Sequence, residues 1–202
     1  MKIDHYNLFD SKKLIRNHFR KLRNQLLPQE IKEKSNLIFE NFVKLFYSNY
    51  LQNHHHKIFS LYLPINNEVE TNKIAELFHN NNIIFSYPKI IAENAPLEFV
   101  KSSYNNNFIN SQFYQNLLEI NNSYKITPEI LIIPLLAFDK SLSRLGMGGG
   151  FFDRTIDYLR SQNSQLATIG LAYDFQEFEG DIPTNYRDQK LDMIITNNRV
   201  FR

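Results

Sequence analysis

Cysteine is absent from the 202-residue sequence, and this absence removes several classes of chemistry. Disulfides, thiolate nucleophiles, and zinc or iron–sulfur sites held by cysteine are all excluded. No stretch reaches the roughly 20 apolar residues that a membrane-spanning helix needs. The first ten residues are polar and charged, and no apolar core follows them, unlike a secretory signal. We therefore expect a soluble cytoplasmic protein with no membrane partner.

A large excess of charge of one sign is also missing. The 23 basic and 21 acidic residues leave a formal charge of +2. This balance implies no domain-wide positive surface, so we expect no nucleic-acid partner. An apolar fraction of 43% is typical of a globular protein. The length fits one domain, and no repeat, long linker or composition shift divides the chain, so we predict a single domain over residues 1–202.

An apolar stripe with helical spacing lies near the start of the chain. Apolar residues recur at i, i+4, i+7 and i+11 from Ile15 to Leu26, which predicts an amphipathic helix. Ser11 is a favoured N-cap residue, and Pro28 does not continue a helix. We therefore predict a helix from Ser11 to about Leu27.

Helical and strand patterns then alternate along the chain. The further predicted helices are Gln29–Tyr47, one capped by Thr71 that runs through His79, and Phe152–Leu159. The predicted strands are Ile58–Leu63, Ile83–Tyr87 (closed by Pro88), Leu97–Val100, Glu129–Ile133, Ala167–Ala172 and Met193–Thr196. Residues 90–127 give no clear periodicity as a whole. Strands that alternate with long helices form parallel βαβ units, so the predicted fold is a single-domain α/β protein, a three-layer α/β/α structure with a mostly parallel sheet.

Glycine is scarce, yet four of the six glycines lie within five residues, at Gly146 and Gly148–Gly150. Glycine lets the backbone adopt positive φ and approach a ligand closely, and successive N–H groups before a helix can bind an anion. Arg144 adds a forked donor at the start of this loop. The loop is not a Walker A sequence, because no Gly-Lys-Ser/Thr follows, and its spacing does not fit the dinucleotide pattern Gly-x-Gly-x-x-Gly. A simple turn is the alternative, but this concentration of glycine favours a phosphate loop.

Two aspartates are candidate ligands for Mg²⁺ beside a phosphate. Asp153 is predicted in the first turn of a helix, where a capping role is the alternative and is favoured on spacing alone. Mg²⁺ is usually held by one or two carboxylates plus phosphate oxygens, and Asp188 in the loop before the last strand is the second candidate. Asp192 is a further option with a more structural position. The run His54–His56 lacks the spacing of metal ligands.

Two motifs separated by a short spacer resemble a family signature. Ile133–Asp139 reads apolar-Pro-x-x-Ala-Phe-Asp, and Arg144–Arg154 begins Arg-Leu-Gly-x-Gly-x-Gly and continues Phe-Phe-Asp. This combination is similar to the 5-formyltetrahydrofolate cyclo-ligases, in which the last part is usually Tyr-Tyr-Asp. The likeness covers most of the chain, because it extends to Lys12–Arg16, Leu63–Thr71, Ile169–Ala172, Gln176 and Asp188–Thr196. The two phenylalanines keep the ring packing but lack the hydroxyl groups.

The resemblance implies an ATP- and Mg²⁺-dependent enzyme that converts 5-formyltetrahydrofolate to 5,10-methenyltetrahydrofolate and releases ADP and phosphate. The residues implied to bind ATP are Lys12, Lys13, Arg16, Leu63, Arg144, Leu145, Gly146, Met147, Gly148, Gly149, Gly150, Phe151 and Phe152. The folate would contact Glu68, Met147 and Phe152, Mg²⁺ would lie at Asp153 and Asp188, and the catalytic residues would be Arg144 and Asp153.

Other interpretations keep the α/β fold and change the chemistry. The glycine loop could hold a sugar phosphate or a CoA ester in an enzyme of similar architecture. A nucleotide-binding protein without catalytic activity is a third possibility.

Arg20 and Arg23 are interpreted as surface charges, because a basic stripe on a helix is usually solvated. We also expect the protein to be a monomer.

Overall fold

The computed structural model describes residues 8–48, 56–102, 108–113, 117–121 and 124–202. Its helices are α1 (Leu8–Asn24), α2 (Pro28–Tyr47), α3 (Asn72–Asn80) and α4 (Phe151–Gln162), with a 3₁₀ turn at Asp174–Gln176. Its strands are β1 (Phe59–Ser60), β2 (Phe85–Lys89), β3 (Glu98–Lys101), β4 (Phe108–Asn110), β5 (Leu118–Ile120), β6 (Ile130–Pro134), β7 (Ala137–Phe138), β8 (Arg144–Leu145), β9 (Ala167–Leu171), β10 (Met193–Ile195) and β11 (Val200–Phe201).

Seven of these strands form one sheet in the order β11-β10-β9-β6-β1-β2-β3. The five strands from β10 to β2 run parallel, and the two edge strands pair antiparallel with their neighbours. The central strand β6 pairs with β9 along its whole length, from Ile130 opposite Ala167 to Pro134 opposite Leu171. The predicted mostly parallel sheet is therefore confirmed, with antiparallel strands only at its edges.

Alternate residues of β6 reach opposite faces of the sheet, as the pleat of a strand requires. Ile130 and Ile132 belong to a core formed with residues of α2 and α3. Leu131 and Ile133 belong to a second core, formed with residues of α4. The sheet is thus covered on both faces, which explains the continuous apolar sequence of β6 and confirms the three-layer α/β/α prediction.

The boundary between the first two helices differs from the prediction. Ser11 is buried inside α1, which already includes Leu8, so its predicted N-cap role is wrong. Pro28 does not terminate the first helix but begins α2, where a proline needs no hydrogen-bond partner for its nitrogen. The Glu30 carboxylate accepts a hydrogen bond from the backbone N–H of Leu27 at 2.9 Å, which caps the start of α2.

Smaller differences concern short strands. Pro88 lies inside β2, opposite Phe99 of β3, instead of closing the strand. Residues 90–127, which lack clear periodicity, contain β3, predicted at Leu97–Val100, and the antiparallel pair β4–β5. The sequence pattern also missed β7, β8 and β11, which are only two residues long each. His54 and His55 lie outside the described residues.

None of the helices within the described ranges combines the length and the apolar character that a membrane crossing requires.

Candidate active site

The glycine loop connects β8 to the N-terminus of α4, and its conformation depends on glycine. Gly148 has a φ of 112°, and Gly150, the N-cap residue of α4, has a φ of 65°. L-residues rarely adopt these values, so glycine is required at both positions. The first backbone N–H groups of α4 have no partners within the helix, which gives this end a partial positive charge. The loop therefore has the features of an anion-binding site.

Helix α1 lies against the β7–β8 pair that precedes this loop. Ile15 and Phe19 are buried in a small third core with Leu136, Ala137 and Leu145. Burial of these apolar groups holds the basic residues of α1 close to the glycine loop. The predicted inward stripe of α1 is confirmed at Ile15 and Phe19.

The basic residues of α1 contact the loop in different ways. The Nε of Arg16 donates a hydrogen bond to the carbonyl of Gly146 at 3.1 Å. Lys12 is buried, and its Nζ lies 2.5 Å from Oδ2 of Asp188. Lys13 is exposed, because it follows Lys12 by about 100° around the helix. The structure thus brings Lys12 and Arg16 to the candidate site, whereas Lys13 contacts neither the loop nor Asp188 in the described ranges.

Arg144 and Asp153 form an ion pair beneath the loop, with 3.0 Å between Nη2 and Oδ1. Arg144 also donates to the backbone carbonyl of Gln189, and the Gln189 N–H donates to Asp153 Oδ1 at 3.0 Å. Burial lowers the pKa of Arg144, and the charge of Asp153 opposes this effect. Arg144, predicted to be a forked donor for phosphate, therefore connects the start of α4 to Gln189.

The two predicted metal ligands, Asp153 and Asp188, belong to adjoining segments. Asp153 accepts a hydrogen bond from Gln189, the residue that follows Asp188. Both carboxylates raise the pKa of Arg16 against the larger lowering effect of its burial, so both lie near that guanidinium. No group of three or more metal-binding side chains occurs in the described residues. Two carboxylates beside this glycine loop nevertheless fit Mg²⁺, which in proteins is usually held by one or two carboxylates and takes its remaining ligands from phosphate and water.

Glu68 lies on the loop after β1 and is buried. Its Oε2 accepts a hydrogen bond from the N–H of Ile65 at 3.1 Å. Burial raises the pKa of Glu68 to about 7, although the charge of Arg23 and the Ile65 N–H oppose the increase. Leu63, on the same loop, is half-buried against the core of α2 and α3. A buried carboxyl with this pKa can change its charge near neutral pH.

Arg23 was predicted to be a surface charge, and this prediction is wrong. The side chain is fully buried, with Nη1 3.7 Å from Oε1 of Glu68 and Nη2 3.6 Å from the sulfur of Met147. Its position follows Ile15 and Phe19 at intervals of four residues, on the apolar face of α1. That spacing is the sequence signal that could have identified it. Arg20, by contrast, is half-buried and hydrogen bonds to Asn17.

The far end of the glycine loop is fixed by Arg154, which sequence reasoning did not select. Its guanidinium lies 5.0 Å from the ring centre of Phe151 and donates to the carbonyl of Gly149 at 2.9 Å. The same group donates to the carbonyl of Glu93 at 2.9 Å. Phe151 and Phe152 are half-buried and pack against the core of α4, so these rings support the loop without hydroxyl groups.

A sequence model of the 5-formyltetrahydrofolate cyclo-ligase family matches residues 9–197. The chain belongs to this family. The match spans every segment of the site, from α1 through the glycine loop to Asp188. The cyclo-ligase family resemblance predicted from the two motifs is therefore confirmed.

Individual relatives of the cyclo-ligase family differ in how much of the chain they match. The 5-formyltetrahydrofolate cyclo-ligase of Mycoplasma genitalium is 36% identical over 147 residues, or 70% of this chain and 73% of that protein. The cyclo-ligase of Haemophilus influenzae is 46% identical over 77 residues, or 38% of this chain. The chain aligns with 37% of the length of that second relative.

Two solved structures share the fold with this cyclo-ligase family member. The 5,10-methenyltetrahydrofolate synthetase of Mycoplasma pneumoniae has a TM-score of 0.72 at 27% identity, covering 92% of this chain and 98% of that one. The synthetase of Aquifex aeolicus has a TM-score of 0.75 at 22% identity, covering 95% and 92%. At 22% identity, the likeness to the Aquifex aeolicus structure shows the fold alone.

Substitution of Gly148 tests whether its positive φ holds the loop. Gly148→Ala places a side chain at φ 112°, so we expect a loss of about 1–3 kcal/mol in the free energy of unfolding, measured by urea denaturation. Gly146→Ala is the matched control, since its φ is not positive and no other atom lies within 4 Å of the added carbon. Equal losses in the two variants would show that the loop does not need this backbone conformation.

Proposed function

We propose that the protein uses MgATP to convert 5-formyltetrahydrofolate to 5,10-methenyltetrahydrofolate, with release of ADP and phosphate. The observation that carries this proposal is the arrangement of the glycine loop. Helix α1 brings Lys12 and Arg16 to this loop, and Asp188 and Asp153 lie beside these cations. Phosphoryl transfer depends mainly on positioning and on neutralising the phosphate charge, which the two cations would do together with Mg²⁺ held by the carboxylates.

The proposed reaction needs no side-chain nucleophile. The oxygen of the N5-formyl group attacks the γ-phosphorus, and ADP leaves with the electrons of the broken P–O bond. N10 then attacks the formyl carbon and loses its proton, and the phosphate leaves that carbon with the electron pair of the C–O bond and takes up the proton. The absence of cysteine is compatible with this chemistry.

The ion pairs of the site match the charges of the proposed ligands. Lys12 pairs with Asp188, and Arg144 with Asp153, so each carboxylate is neutralised by a cation. When the triphosphate binds, Lys12 moves its charge to a phosphate oxygen, and Asp188 is then free to bind Mg²⁺. Bound Mg²⁺ supplies positive charge at the phosphate oxygens during transfer.

Glu68 is the proposed contact for the pterin part of the folate. An ionised carboxylate accepts two N–H groups from an aminopyrimidine edge in a bidentate arrangement. Arg23 contacts both Glu68 and Met147, which places the proposed folate contact beside the glycine loop.

ATP, Mg²⁺, a monomeric state and a cytoplasmic location remain predictions for this chain.

An absorbance assay tests the proposed reaction directly. Incubation of the purified protein with 5-formyltetrahydrofolate, ATP and Mg²⁺ is expected to produce the absorbance of the methenyl product. Omission of ATP or addition of EDTA should abolish that product, because the phosphate transfer needs both components. Well-folded protein that gives no methenyl product would reject the reaction. Nucleotide binding without turnover would then favour the non-catalytic interpretation.

The Asp153→Asn variant tests the metal assignment. Loss of one carboxylate should lower turnover about 100-fold and raise the Mg²⁺ concentration for half-maximal activity, because one negative ligand is removed. Asp157→Asn, on the exposed face of α4 one turn later, makes the same chemical change and should leave turnover unaltered. Titration of activity with Mg²⁺ measures both variants. An unchanged Asp153→Asn enzyme would leave this residue only the structural role of binding Arg144 and the Gln189 N–H.

The Glu68→Gln variant tests the folate contact. We expect the KM for 5-formyltetrahydrofolate to rise about 10-fold or more while the KM for ATP changes less than about twofold, since a charged acceptor is lost at one substrate only. Glu70→Gln, two residues along and exposed, is the control and should change neither KM. Similar increases of both KM values in Glu68→Gln would contradict the assignment.

A further inference from the structure

Arg23 occupies a position in α1 that would normally hold an apolar residue. Ile15, Phe19 and Arg23 follow one another at intervals of four along the buried face of the helix. The Arg23 side chain is 1% exposed. A guanidinium is always charged in a protein, and its burial is unfavourable unless other groups compensate. A purely structural role for Arg23 therefore requires strong hydrogen bonds to its surroundings.

Those strong hydrogen bonds are not found. Nη1 is 3.4 Å from the carbonyl of Leu135, Nη2 is 3.6 Å from the sulfur of Met147, and Nε has no acceptor within the described part of the chain. Glu68 supplies the counter-charge at 3.7 Å, which is an ion pair beyond normal hydrogen-bond distance. Arg23 therefore acts on Glu68 mainly through its charge.

The same turn of α1 also fixes the backbone beside Glu68. The side-chain amide of Asn67 donates to the carbonyl of Arg23 at 3.2 Å. The Glu68 loop and the glycine loop, through Met147, are thus both connected to one residue of α1. The relative position of the two loops therefore depends on Arg23.

Other ionisable groups surround this ion pair. Tyr62, Tyr173 and Arg20 influence Arg23 electrostatically, and Tyr62 is also close to Glu68. Burial raises the pKa of both tyrosines well above neutrality, so neither changes its charge near pH 7. Arg23 is the cation that opposes protonation of Glu68, together with the N–H of Ile65.

We infer that Arg23 is a positioning residue for folate, whose charge favours the carboxylate form of Glu68 and whose contacts hold it beside Met147, so that Glu68 accepts the N–H groups of the pterin. This inference rests on the proposed function and adds a residue to it. It assigns the buried cation to substrate recognition through Glu68, with no contact between Arg23 and the folate.

The Arg23→Met variant keeps an unbranched side chain that suits a buried helix face, and it removes the charge. Without that charge the pKa of Glu68 rises above about 7, so more of the protein carries a neutral Glu68 at pH 7. We expect the dissociation constant for 5-formyltetrahydrofolate to increase at least about fivefold at pH 7 and much less at pH 9, where Glu68 is again ionised. The dissociation constant for MgATP should change less than about twofold at both pH values.

Titration calorimetry with the β,γ-methylene analogue of ATP in the cell measures folate binding without turnover. Arg23→Lys restores a positive charge and is expected to recover binding to within about threefold of wild type. Arg20→Met removes a neighbouring cation from the same helix and should leave folate binding unaltered. A loss in Arg23→Met that is equal at pH 7 and pH 9 would overturn the inference, because a structural role predicts that result.

A double variant covers the case in which Arg23→Met does not fold. Glu68→Gln with Arg23→Met removes both buried charges, so neither is left unpaired. If Arg23 acts through Glu68, the double variant should bind folate as the single Glu68→Gln variant does and show no pH dependence between pH 6 and pH 9. A further loss of at least about fivefold would refute that coupling. Wild-type protein that binds folate without turnover would reject the proposed reaction alone, whereas absence of folate binding would reject both.

Discussion

The contact between α1 and the β7–β8 pair is the packing interaction on which the candidate site depends. Ile15 and Phe19 enter a small core beside the carboxyl end of β6, separate from the two cores that cover the sheet. Because α1 is held there, Lys12, Arg16 and Arg23 reach three different segments that are far apart in sequence. Apolar burial thus positions the charges, and no ion pair has to supply the energy that holds the helix in place.

Three ion pairs connect the segments of the site. Each joins a cation to a carboxylate that is proposed to bind Mg²⁺ or the folate. Lys12 meets Asp188, Arg144 meets Asp153, and Arg23 meets Glu68. Their side chains are largely shielded from water, where unpaired charges would be unfavourable. The pairs therefore hold each carboxylate in place beside a positive charge before a ligand arrives, which reduces the rearrangement that binding requires.

The sequence predicted the features that depend on local pattern and missed those that depend on distant partners. The apolar run of β6 and the helical periodicities identified the layers, because burial on both faces leaves a continuous signal. The strands β7 and β8 are two residues long, which is too short for any periodicity. The spacing of Arg23 after Ile15 and Phe19 indicates its burial, but its partner Glu68 lies 45 residues away, and only the tertiary structure brings the two together. The glycine cluster was informative because its backbone requirement is local.

The same geometry indicates which guanidinium is available for a phosphate. Arg144 is 3% exposed, and its donors are directed to Asp153 and to the carbonyl of Gln189. Arg16 uses its Nε for Gly146, and its two terminal nitrogens have no acceptor among the described residues. The Arg16 guanidinium also lies near Gly148, because a Cβ atom added to that glycine would be 3.8 Å from it. A forked donor beside an anion-binding loop must have available N–H groups, so Arg16 satisfies this requirement, and Arg144 instead holds the carboxylate of Asp153 in position.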